Sequence, residues 1–425
     1  MSPITPEEKT TPAAALPHGD QHVALIGLGA IGISFLALHL TYTSATISVY
    51  DPRPDLQDHV ASMLPLYMPR RATTGSDTDT DKDFNANANN NANSDSNSDS
   101  DILSSLVTSR RLRFCTSLGD AVSRATIIQE QGPETLSFKQ STWSEVLRHT
   151  ASTTTTTTPH LWSSTSGIPA SKQLEHLQQE EQQQDAVSTS DAVSISRSAR
   201  SRLLVVHPFN PPHLMPLLEL VPSPHTSAEA VTFAESYFRA VSSVHRPITI
   251  KRETAGFVAN RLSFILFREA CSLVARGVCT VEELDEVVRA SLGPRWAVGG
   301  PFRMYNFGGG PRGMAGFLDN IGGAIRGVWE DVDRQGRQGG SVMMEGMGVH
   351  EGEHETGGES VHGGGRDEEE EAAAVRDWKR IVTEQTVQAY GVPSSQDVRA
   401  RDHALGEVVG LQVRLEAEGK EKETR

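Results

Sequence analysis

A histidine and a glutamate twelve residues apart have the side chains that proton transfer requires. His207 ends the apolar run LLVV and enters the proline-rich segment PFNPP, and Glu219 lies inside the apolar run LMPLLELV. A carboxylate in such a run is costly to bury without a partner, and a histidine at a strand end can be that partner. A histidine held by a glutamate is a general base with a fixed tautomer. A structural histidine and a glutamate at the rim of the fold form the open alternative.

A glycine-rich hexapeptide near the start of the chain has the composition of a phosphate-binding loop. Gly27, Gly29 and Gly32 have the spacing GxGxxG, with Ala30 and Ile31 between the last two glycines. The apolar run before this loop predicts a strand, and the run after it predicts a helix, which is the context that a dinucleotide fingerprint requires. Backbone N–H groups at such a helix N-terminus bind a pyrophosphate. The loop therefore indicates a dinucleotide cofactor.

An acidic residue in the next β-rich run bears on the choice of that cofactor. Asp51 lies nineteen residues after Gly32, at the end of the run TISVYD. A carboxylate at this place accepts hydrogen bonds from the ribose hydroxyls of adenosine and repels a 2′-phosphate, which favours NAD over NADP. Arg53, two residues further on, is the residue type that accommodates such a phosphate. A glycine-rich packing turn with Asp51 as a turn residue is the ordinary alternative.

Short apolar runs alternate with helical patterns from residue 22 to residue 241. The strand candidates are HVALIGLG, TISVYD, RLRFC, TIIQE, LWSSTS and LLVVHPF. Thr226 to Glu229 has the pattern of a capping box before an amphipathic helix. Alternation of this kind predicts a parallel, doubly wound sheet. From Gly256 onward the patterns are helical, so we expect an α/β domain of the Rossmann type over 20–252 and an all-helical domain over 253–425.

The net charge of −15 belongs to two low-complexity segments. Residues 72–101, rich in Asn, Asp and Ser, carry −6, and residues 345–371, rich in Gly and Glu, carry −9. Such sequences cannot bury enough apolar surface to offset the entropy lost on ordering, so their acidity says nothing about the partner of the folded core. We expect a flexible arm over residues 1–19 and disordered inserts at about 72–101, 150–158, 178–198 and 333–372.

The composition excludes several classes of protein. The chain has 425 residues, 37% of them hydrophobic, and no apolar run reaches the length of a membrane span. Its N-terminus lacks the pattern of a signal peptide. The cysteines, Cys115, Cys271 and Cys279, lack the spacing of metal ligands, which favours a reducing compartment. We expect a cytoplasmic protein with no bound metal and no nucleic-acid or membrane partner.

Four segments in this order resemble the successive signatures of the 3-hydroxyacyl-CoA dehydrogenase superfamily. They are QEQGPE at 129–134, SSTSG at 163–167, HPFNPP at 207–212 and GFVANR at 256–261. Within the superfamily the chain is most similar to the branch that acts on free hydroxy acids, which includes L-gulonate 3-dehydrogenase (lambda-crystallin) and L-carnitine dehydrogenase. The resemblance covers most of residues 22–320 and implies an NAD-dependent dehydrogenase.

The resemblance implies a role for each residue of the catalytic set. His207 is the base that takes the hydroxyl proton as hydride leaves for NAD, and Glu219 orients and charge-stabilises its imidazole. Ser166 hydrogen-bonds the reacting hydroxyl or carbonyl, and Asn260 helps to hold the substrate and His207. Each has an ordinary alternative: Ser166 as a turn residue at a strand end, and Asn260 as a residue of the domain hinge.

Further residues match positions where the family contacts its cofactor or substrate. Glu134, Lys139 and Asn210 fall where the family binds the ribose and nicotinamide side of NAD. Arg295 is able to pair with a substrate carboxylate, and Trp296 to line the pocket. A capping arginine and a buried tryptophan are the ordinary alternatives for these two. The helical domain forms the dimer contact in this family, so the resemblance also implies a homodimer.

One departure from the acyl-CoA enzymes bears on the substrate. Ser164 stands where those enzymes usually carry Asn, and the segment after the second strand candidate shows no basic cluster suited to CoA phosphates. Three functions follow: oxidation of the 3-hydroxyl of a small hydroxy acid with NAD, the same reaction on a CoA thioester, or a non-catalytic, crystallin-like structural role. The intact set of catalytic and cofactor residues argues against the last.

Overall fold

A computed structural model describes residues 21–68, 96–151, 158–177, 190–242, 244–345 and 377–423. The chain divides into two compact units. The first runs to Arg261 and includes residues 402–413, and the second holds Leu262–Arg401 and residues 414–425. The division falls after the start of the predicted helical domain because residues 253–261 hydrogen-bond to the α/β unit, as the amide of Ser171 does to the Glu253 carboxylate at 2.9 Å.

The first unit is built on one eight-stranded sheet with the order β3-β2-β1-β4-β5-β6-β7-β8. Strands β1 to β6 pair in parallel, β7 is antiparallel to β6, and β8 is parallel to β7. The predicted doubly wound sheet is therefore confirmed, and the structure adds β7 and β8. The strands are β1 (His22–Ile26), β2 (Thr46–Tyr50), β3 (Leu112–Phe114), β4 (Ile127–Glu130), β5 (His160–Ser163), β6 (Leu203–Pro208), β7 (Leu217–Pro222) and β8 (Arg246–Thr249).

Val23–Ile26 of β1 and Leu203–Val206 of β6 are continuous apolar runs because helices cover both faces of the sheet. Along β1, Val23 and Leu25 belong to one apolar cluster, and Ala24 and Ile26 belong to another. Successive side chains of a strand point to opposite faces, so these two clusters are the cores on the two sides of the sheet. The helices of this unit are α1 (Ala30–Tyr42), α2 (Leu56–Tyr67), α3 (Ser96–Thr108), α4 (Leu118–Val122), α5 (Leu136–Ala151), α6 (Ala170–Gln173), α7 (Ser190–Arg202) and α8 (Ala228–Val241).

The capping residue of α8 differs by one position from the sequence expectation. Ser227, not Thr226, caps the helix by accepting a hydrogen bond from the amide of Ala230 at 3.2 Å. The Thr226 hydroxyl instead donates to the carbonyl oxygen of Leu203, 2.7 Å away at the start of β6. Because the Thr226 hydroxyl is hydrogen-bonded to the sheet, Ser227 is the residue that caps α8.

The second unit is helical, as the sequence predicts. Its first helix, α9 (Ala259–Ala275), starts within the first unit. A capping box is present at Thr280 and Glu283, whose side chains each accept from the other's backbone amide. The further helices are α10 (Val281–Ala290), α11 (Leu292–Val298), α12 (Pro301–Gly308), α13 (Gly313–Glu345), α14 (Trp378–Tyr390) and α15 (Ser395–Glu423), with a 3-10 turn at Gly310–Arg312.

Helices extend into all four segments expected to be disordered inserts, and residues 150–151 lie in α5. Residues 96–101 lie in α3, residues 190–198 lie in α7 and residues 333–345 lie in α13. Most of the remaining expected inserts, and the expected arm at 1–19, lie outside the described residues. In the described part of the chain, no helix combines the length and the hydropathy that crossing a membrane requires.

Candidate active site

The turn between β1 and α1 has the shape of a pyrophosphate cradle. Gly27 has a φ of +90°, and its amide donates to the carbonyl oxygen of Tyr50 at 2.9 Å. A Cβ on Gly32 would lie 2.0 Å from the carbonyl oxygen of Gly27, so only glycine lets the helix approach the strand here. A Cβ on Gly29, by contrast, would have no protein atom within 4 Å. The backbone at Gly29 thus faces open space at the N-terminus of α1.

The charges around this turn suit an anion. The first turn of α1 carries no acidic side chain, and no side chain caps it. Its N–H groups and the positive end of the helix dipole therefore face the space that Gly29 leaves open. Ala30 and Ile31 contribute amides of this first turn. The residues present fit the pyrophosphate of a dinucleotide.

Asp51 lies beside the cradle, at the end of β2. Its Oδ2 accepts a hydrogen bond from the amide of Leu28 at 2.8 Å, and its Oδ1 accepts from the amide of Arg53 at 3.0 Å. Each carboxylate oxygen keeps a lone pair for a ribose hydroxyl. The Arg53 side chain donates from Nε to Asp55 Oδ1 at 3.0 Å. Because Arg53 is paired with Asp55, its presence argues less for a 2′-phosphate than the sequence alone indicates.

His207 lies on β6 and Glu219 lies on β7, and these two strands pair in the antiparallel direction. They are direct partners in the register of β6 and β7, and His207 Nδ1 lies 2.8 Å from Glu219 Oε2. Both residues are buried, with 3% and 1% of their surface exposed. An ionised carboxylate only accepts, so the imidazole carries its proton on Nδ1 and keeps Nε2 as an acceptor. That is the tautomer a general base requires.

Asn260 and Ser166 complete this side of the site. The Asn260 side-chain amide lies 3.3 Å from His207 Nε2 and donates to the backbone carbonyl of Ser166 at 3.2 Å. Within the described part of the chain the Ser166 hydroxyl has no hydrogen-bond partner, and the residue is exposed. The structure thus brings together His207, Glu219, Asn260 and the turn that carries Ser166.

The Ser166 turn is held by Glu134. A single carboxylate oxygen, Glu134 Oε1, accepts from the amides of Ser166 at 2.9 Å and Gly167 at 3.0 Å, and also from the Thr165 hydroxyl. These contacts fix the backbone from which the Ser166 hydroxyl projects. The contact with NAD that the resemblance implies for Glu134 remains a prediction, and its Oε2 is the oxygen not used by the turn.

Lys139 is enclosed by protein acceptors. Its side chain is 1% exposed, and Nζ lies 2.9 Å from Glu130 Oε1 and 3.2 Å from the carbonyl oxygen of Gly132. Glu130 is completely buried at the end of β4 and also accepts from the amide of Gly132 and the Ser163 hydroxyl. Burial raises the pKa of the Glu130 carboxyl, and the Lys139 ammonium opposes that rise. The implied contact of Lys139 with NAD remains a prediction.

Glu130 is a site residue that the sequence analysis left without a role. An acidic residue that ends an apolar strand run is the signal that could have found it, by the same reasoning that singled out Glu219. With Lys139 it forms a buried ion pair that fixes the loop after β4. That loop carries Glu134, so the pair acts on the Ser166 turn through one intermediate residue.

Ser164 is fixed from beneath the site. Its hydroxyl accepts a hydrogen bond from Gln129 Nε2 at 3.1 Å, and Gln129 Oε1 lies 3.1 Å from Nε2 of His39, which is buried in α1. His39 Nδ1 in turn lies 2.9 Å from the Tyr237 hydroxyl. These buried hydrogen bonds connect α1, through His39, and α8, through Tyr237, to Ser164 directly after β5. Ser164 therefore has a structural partner.

Asn210 lies in the loop that follows β6 and is exposed. The loop is tied to the cofactor helix, because the Ser34 hydroxyl of α1 lies 2.8 Å from His213 Nδ1 and accepts from the His213 amide at 3.0 Å. His245 Nε2 holds the same loop through the carbonyl oxygen of Pro212 at 3.0 Å. Asn210 is thus carried by a fixed loop, and its contact with the nicotinamide remains a prediction.

Arg295 and Trp296 lie on α11 of the second unit. Both side chains are exposed, and Trp296 retains 40% of its accessible surface. The buried tryptophan of the ordinary alternative is therefore not what the structure shows. Their roles toward a substrate remain predictions.

The glycine turn predicts a sharp difference between two substitutions. Gly29→Val should abolish NAD binding while leaving the thermal midpoint unchanged, because the new side chain enters only the open space above α1. Gly32→Ala should lower the thermal midpoint as well, because its Cβ would overlap the backbone of Gly27. Calorimetric titration with NAD and thermal unfolding measure the two effects.

Gly322→Val is the control, because a Cβ at this position of α13 would also lie in open space. A wild-type affinity for NAD in Gly29→Val would refute the assignment of this turn as the pyrophosphate site.

Comparison with known proteins agrees with this architecture. The NAD-binding domain model of 3-hydroxyacyl-CoA dehydrogenase matches residues 22–187 and 186–253, and the model of the C-terminal domain matches residues 256–348. An L-carnitine dehydrogenase of Streptomyces griseus is 31% identical over 78% of this chain and 83% of its own length. A 3-hydroxyacyl-CoA dehydrogenase of Gibberella moniliformis is 36% identical over 51% of this chain, and the match spans 60% of that relative.

A solved structure shows a weaker likeness. The NAD-dependent 5-formyl-3-hydroxy-2-methylpyridine 4-carboxylic acid 5-dehydrogenase is 23% identical, with a TM-score of 0.49, over 86% of this chain and 98% of its own. That likeness bears on neither substrate nor mechanism. The family models cover both parts of the chain in order, and the cradle at Gly29 fits their cofactor. The chain belongs to the 3-hydroxyacyl-CoA dehydrogenase family and is an NAD-dependent dehydrogenase that acts on a CH–OH group.

Proposed function

We propose that this protein oxidises the 3-hydroxyl of a small hydroxy acid to a ketone, with His207 as the general base. The observation that carries the proposal is the direction of the imidazole. Its Nδ1 is occupied by Glu219 at 2.8 Å, and its Nε2 lies beside Asn260, which also contacts the Ser166 turn. Nε2 is therefore the acceptor nitrogen, and a substrate hydroxyl would take the place of the Asn260 Nδ2 contact at 3.3 Å.

The residues divide the proton transfer between them. When bound, NAD supplies the acceptor for the hydride. His207 Nε2 takes the hydroxyl proton, and Glu219 stabilises the imidazolium that results. The Ser166 hydroxyl donates to the substrate oxygen, and the Asn260 amide keeps the imidazole and the Ser166 turn at a fixed separation. The product is a ketone, and a proton remains on His207 for release.

A free acid is the better substrate class for this chain. The carnitine dehydrogenases among its relatives match 72% to 78% of the chain in four cases, and in those four the match covers 69% to 83% of their own length. The helix after β2, α2, contains no lysine or arginine that would hold the phosphates of CoA. Arg295 would pair with the substrate carboxylate, and Trp296 would line the pocket.

The CoA thioester remains the second candidate because the Gibberella relative is a 3-hydroxyacyl-CoA dehydrogenase by name. A non-catalytic, crystallin-like role is disfavoured, since a protein without turnover has no use for a buried His–Glu pair that keeps Nε2 as an acceptor. The substrate panel below separates all three functions.

A panel of short 3-hydroxy acids and their CoA thioesters should separate the candidates. We expect NADH formation, followed by absorbance, to show a higher kcat/KM for free acids, and for NAD than for NADP. Carnitine belongs in the panel as the hydroxy acid that the relatives' names indicate. A preference for the thioesters would replace the first candidate with the second, and no turnover of either class would favour the structural role.

Substitution of the base should separate binding from chemistry. His207→Gln should lower kcat by about 10²–10⁴ and leave the Kd for NAD unchanged. Glu219→Gln should also lower kcat, since it keeps a hydrogen bond to the imidazole but removes the charge. In the wild type the oxidation rate should rise with pH, because only a neutral imidazole accepts the proton. His225→Gln is the matched control at an exposed histidine. Near-normal turnover in His207→Gln would favour the structural alternative.

The second unit also supports a homodimer. Apolar side chains of α9 and α12 stand exposed within the described residues, among them Phe264 at 60% and Phe302 at 81%. Apolar surface of this kind is characteristic of an interface between subunits. We expect light scattering to give a dimer, and Phe264→Glu to give a monomer with an unchanged Kd for NAD. A wild-type monomer at micromolar concentration would contradict this part of the proposal.

A further inference from the structure

We propose that the backbone amides of Val258 and Ala259, at the start of α9, are positioning groups for the reaction. They hold the Glu219 carboxylate in its ionised form and in the orientation that fixes the His207 tautomer. This inference rests on the proposed function, because it assigns a purpose to the neighbours of the base. Val258 and Ala259 lie in the segment GFVANR, but their residue types do not reveal these groups, since a backbone N–H belongs to every residue type except proline.

The two oxygens of Glu219 have separate partners. Oε2 lies 2.8 Å from His207 Nδ1, and Oε1 accepts from the amide of Val258 at 2.9 Å and from that of Ala259 at 3.1 Å. A buried carboxylate stays ionised only where donors replace the water it has lost. Two amides at the positive end of a 17-residue helix provide that replacement. The charge of Glu219 is therefore present before an imidazolium forms.

The two residues before these amides, Gly256 and Phe257, have a backbone conformation that orients the amides toward Glu219. Gly256 has a φ of +71° and Phe257 a φ of +50°, so two successive residues are left-handed. Such a φ is uncommon for a bulky side chain and persists only where the surroundings enforce it. Phe257 is completely buried, and its ring centroid lies 5.3 Å from that of His207. The reversal at these residues directs the next two amides at Glu219.

Four consecutive residues therefore surround the His–Glu pair. Phe257 packs on the imidazole, Val258 and Ala259 donate to the carboxylate, and Asn260 lies beside Nε2. All four belong to the same compact unit as the pair itself. A substitution in the first turn of α9 should therefore alter the surroundings of His207 and Glu219. Among these four residues, only Asn260 contributes a polar side chain.

The test removes one amide without removing a side chain. Ala259→Pro deletes the N–H at the first helical position, where proline is tolerated. We expect kcat to fall by about 10- to 100-fold, the loss typical of one hydrogen bond to a charged group. We also expect the acidic limb of the pH–rate profile, which the imidazole sets, to differ from that of the wild type, because the charge of Glu219 stabilises the imidazolium. The Kd for NAD should not change.

Ala228→Pro is the matched control. Ala228 is the first residue of α8 behind its Ser227 cap, so the substitution is chemically the same and far from the His–Glu pair in sequence and hydrogen bonding. It should retain the wild-type kcat and pH profile. Should Ala259→Pro fail to bind NAD, replacement of Ala259 by its α-hydroxy acid provides the second variant, which exchanges the N–H for an ester oxygen of nearly the same shape.

The outcomes distinguish this inference from the function on which it rests. Near-normal turnover in His207→Gln removes the proposed function itself. Loss of turnover in His207→Gln, together with wild-type kcat and pH profile in the folded Ala259 variant, overturns the inference alone. A lowered kcat with a shifted acidic limb, absent from Ala228→Pro, supports it, because a merely structural role would not move the pH profile.

Discussion

Carboxylates that accept hydrogen bonds from backbone amides organise the carboxyl edge of this sheet. Glu130 and Glu219 are buried, and a carboxylate removed from water needs donors to keep its charge. Asp51 and Glu134 are less buried, and they too accept from amides of the loops between strands and helices. Each loop is thereby tied to a strand end by an interaction that a loss of charge would weaken. The pairs are Asp51 with Leu28 and Arg53, Glu130 with Gly132, Glu134 with Ser166 and Gly167, and Glu219 with Val258 and Ala259.

The same arrangement separates two electrostatic regions along the edge. At the cradle around Gly29 the first turn of α1 has no acidic side chain, so its amides remain available to an anion. Around His207 the acidic groups are close, but backbone donors and Lys139 compensate their charges. The same edge of the sheet is thus able to hold a dianionic pyrophosphate and the acidic groups around His207 without strong electrostatic repulsion between them. The polar chain through His39 adds rigidity beneath both regions.

The sequence predicted the parts that depend on side-chain type and periodicity. The doubly wound sheet, the glycine turn and the approach of His207 to Glu219 all follow from apolar runs and from the cost of a lone buried carboxylate. β7 was not predicted as a strand, because LMPLLELV has the apolar content of a strand but no alternation to distinguish it from a helix. β8 was not predicted because its sequence, RPIT, is short and contains a proline. The cap of α8 moved by one residue because the Thr226 hydroxyl bonds to β6, a contact between distant residues.

The positions of backbone donors could not be predicted, because they carry no sequence signal. The amides that donate to Glu134 and Glu219 belong to Ser166, Gly167, Val258 and Ala259, and among these only Ser166 has a proposed side-chain role at the site. Glu130 could be predicted in part, since the sequence shows an acidic residue at the end of an apolar strand run. Its partner Lys139, nine residues later, was instead predicted to contact the cofactor.

Backbone donation to Glu219 also bears on where the proton rests during the reaction. A carboxylate that accepts two amides on Oε1 is favoured in its ionised form, so the proton on His207 Nδ1 has no reason to move to Oε2. In the proposed reaction the imidazole would then keep both protons after the hydroxyl has lost its own, and the resulting ion pair would already be surrounded by its donors. Since little has to reorganise in either direction, the same pair is suited to return the proton to a ketone. The proposed base would therefore suit a reversible transfer whose direction is set by the supply of the oxidised or reduced cofactor.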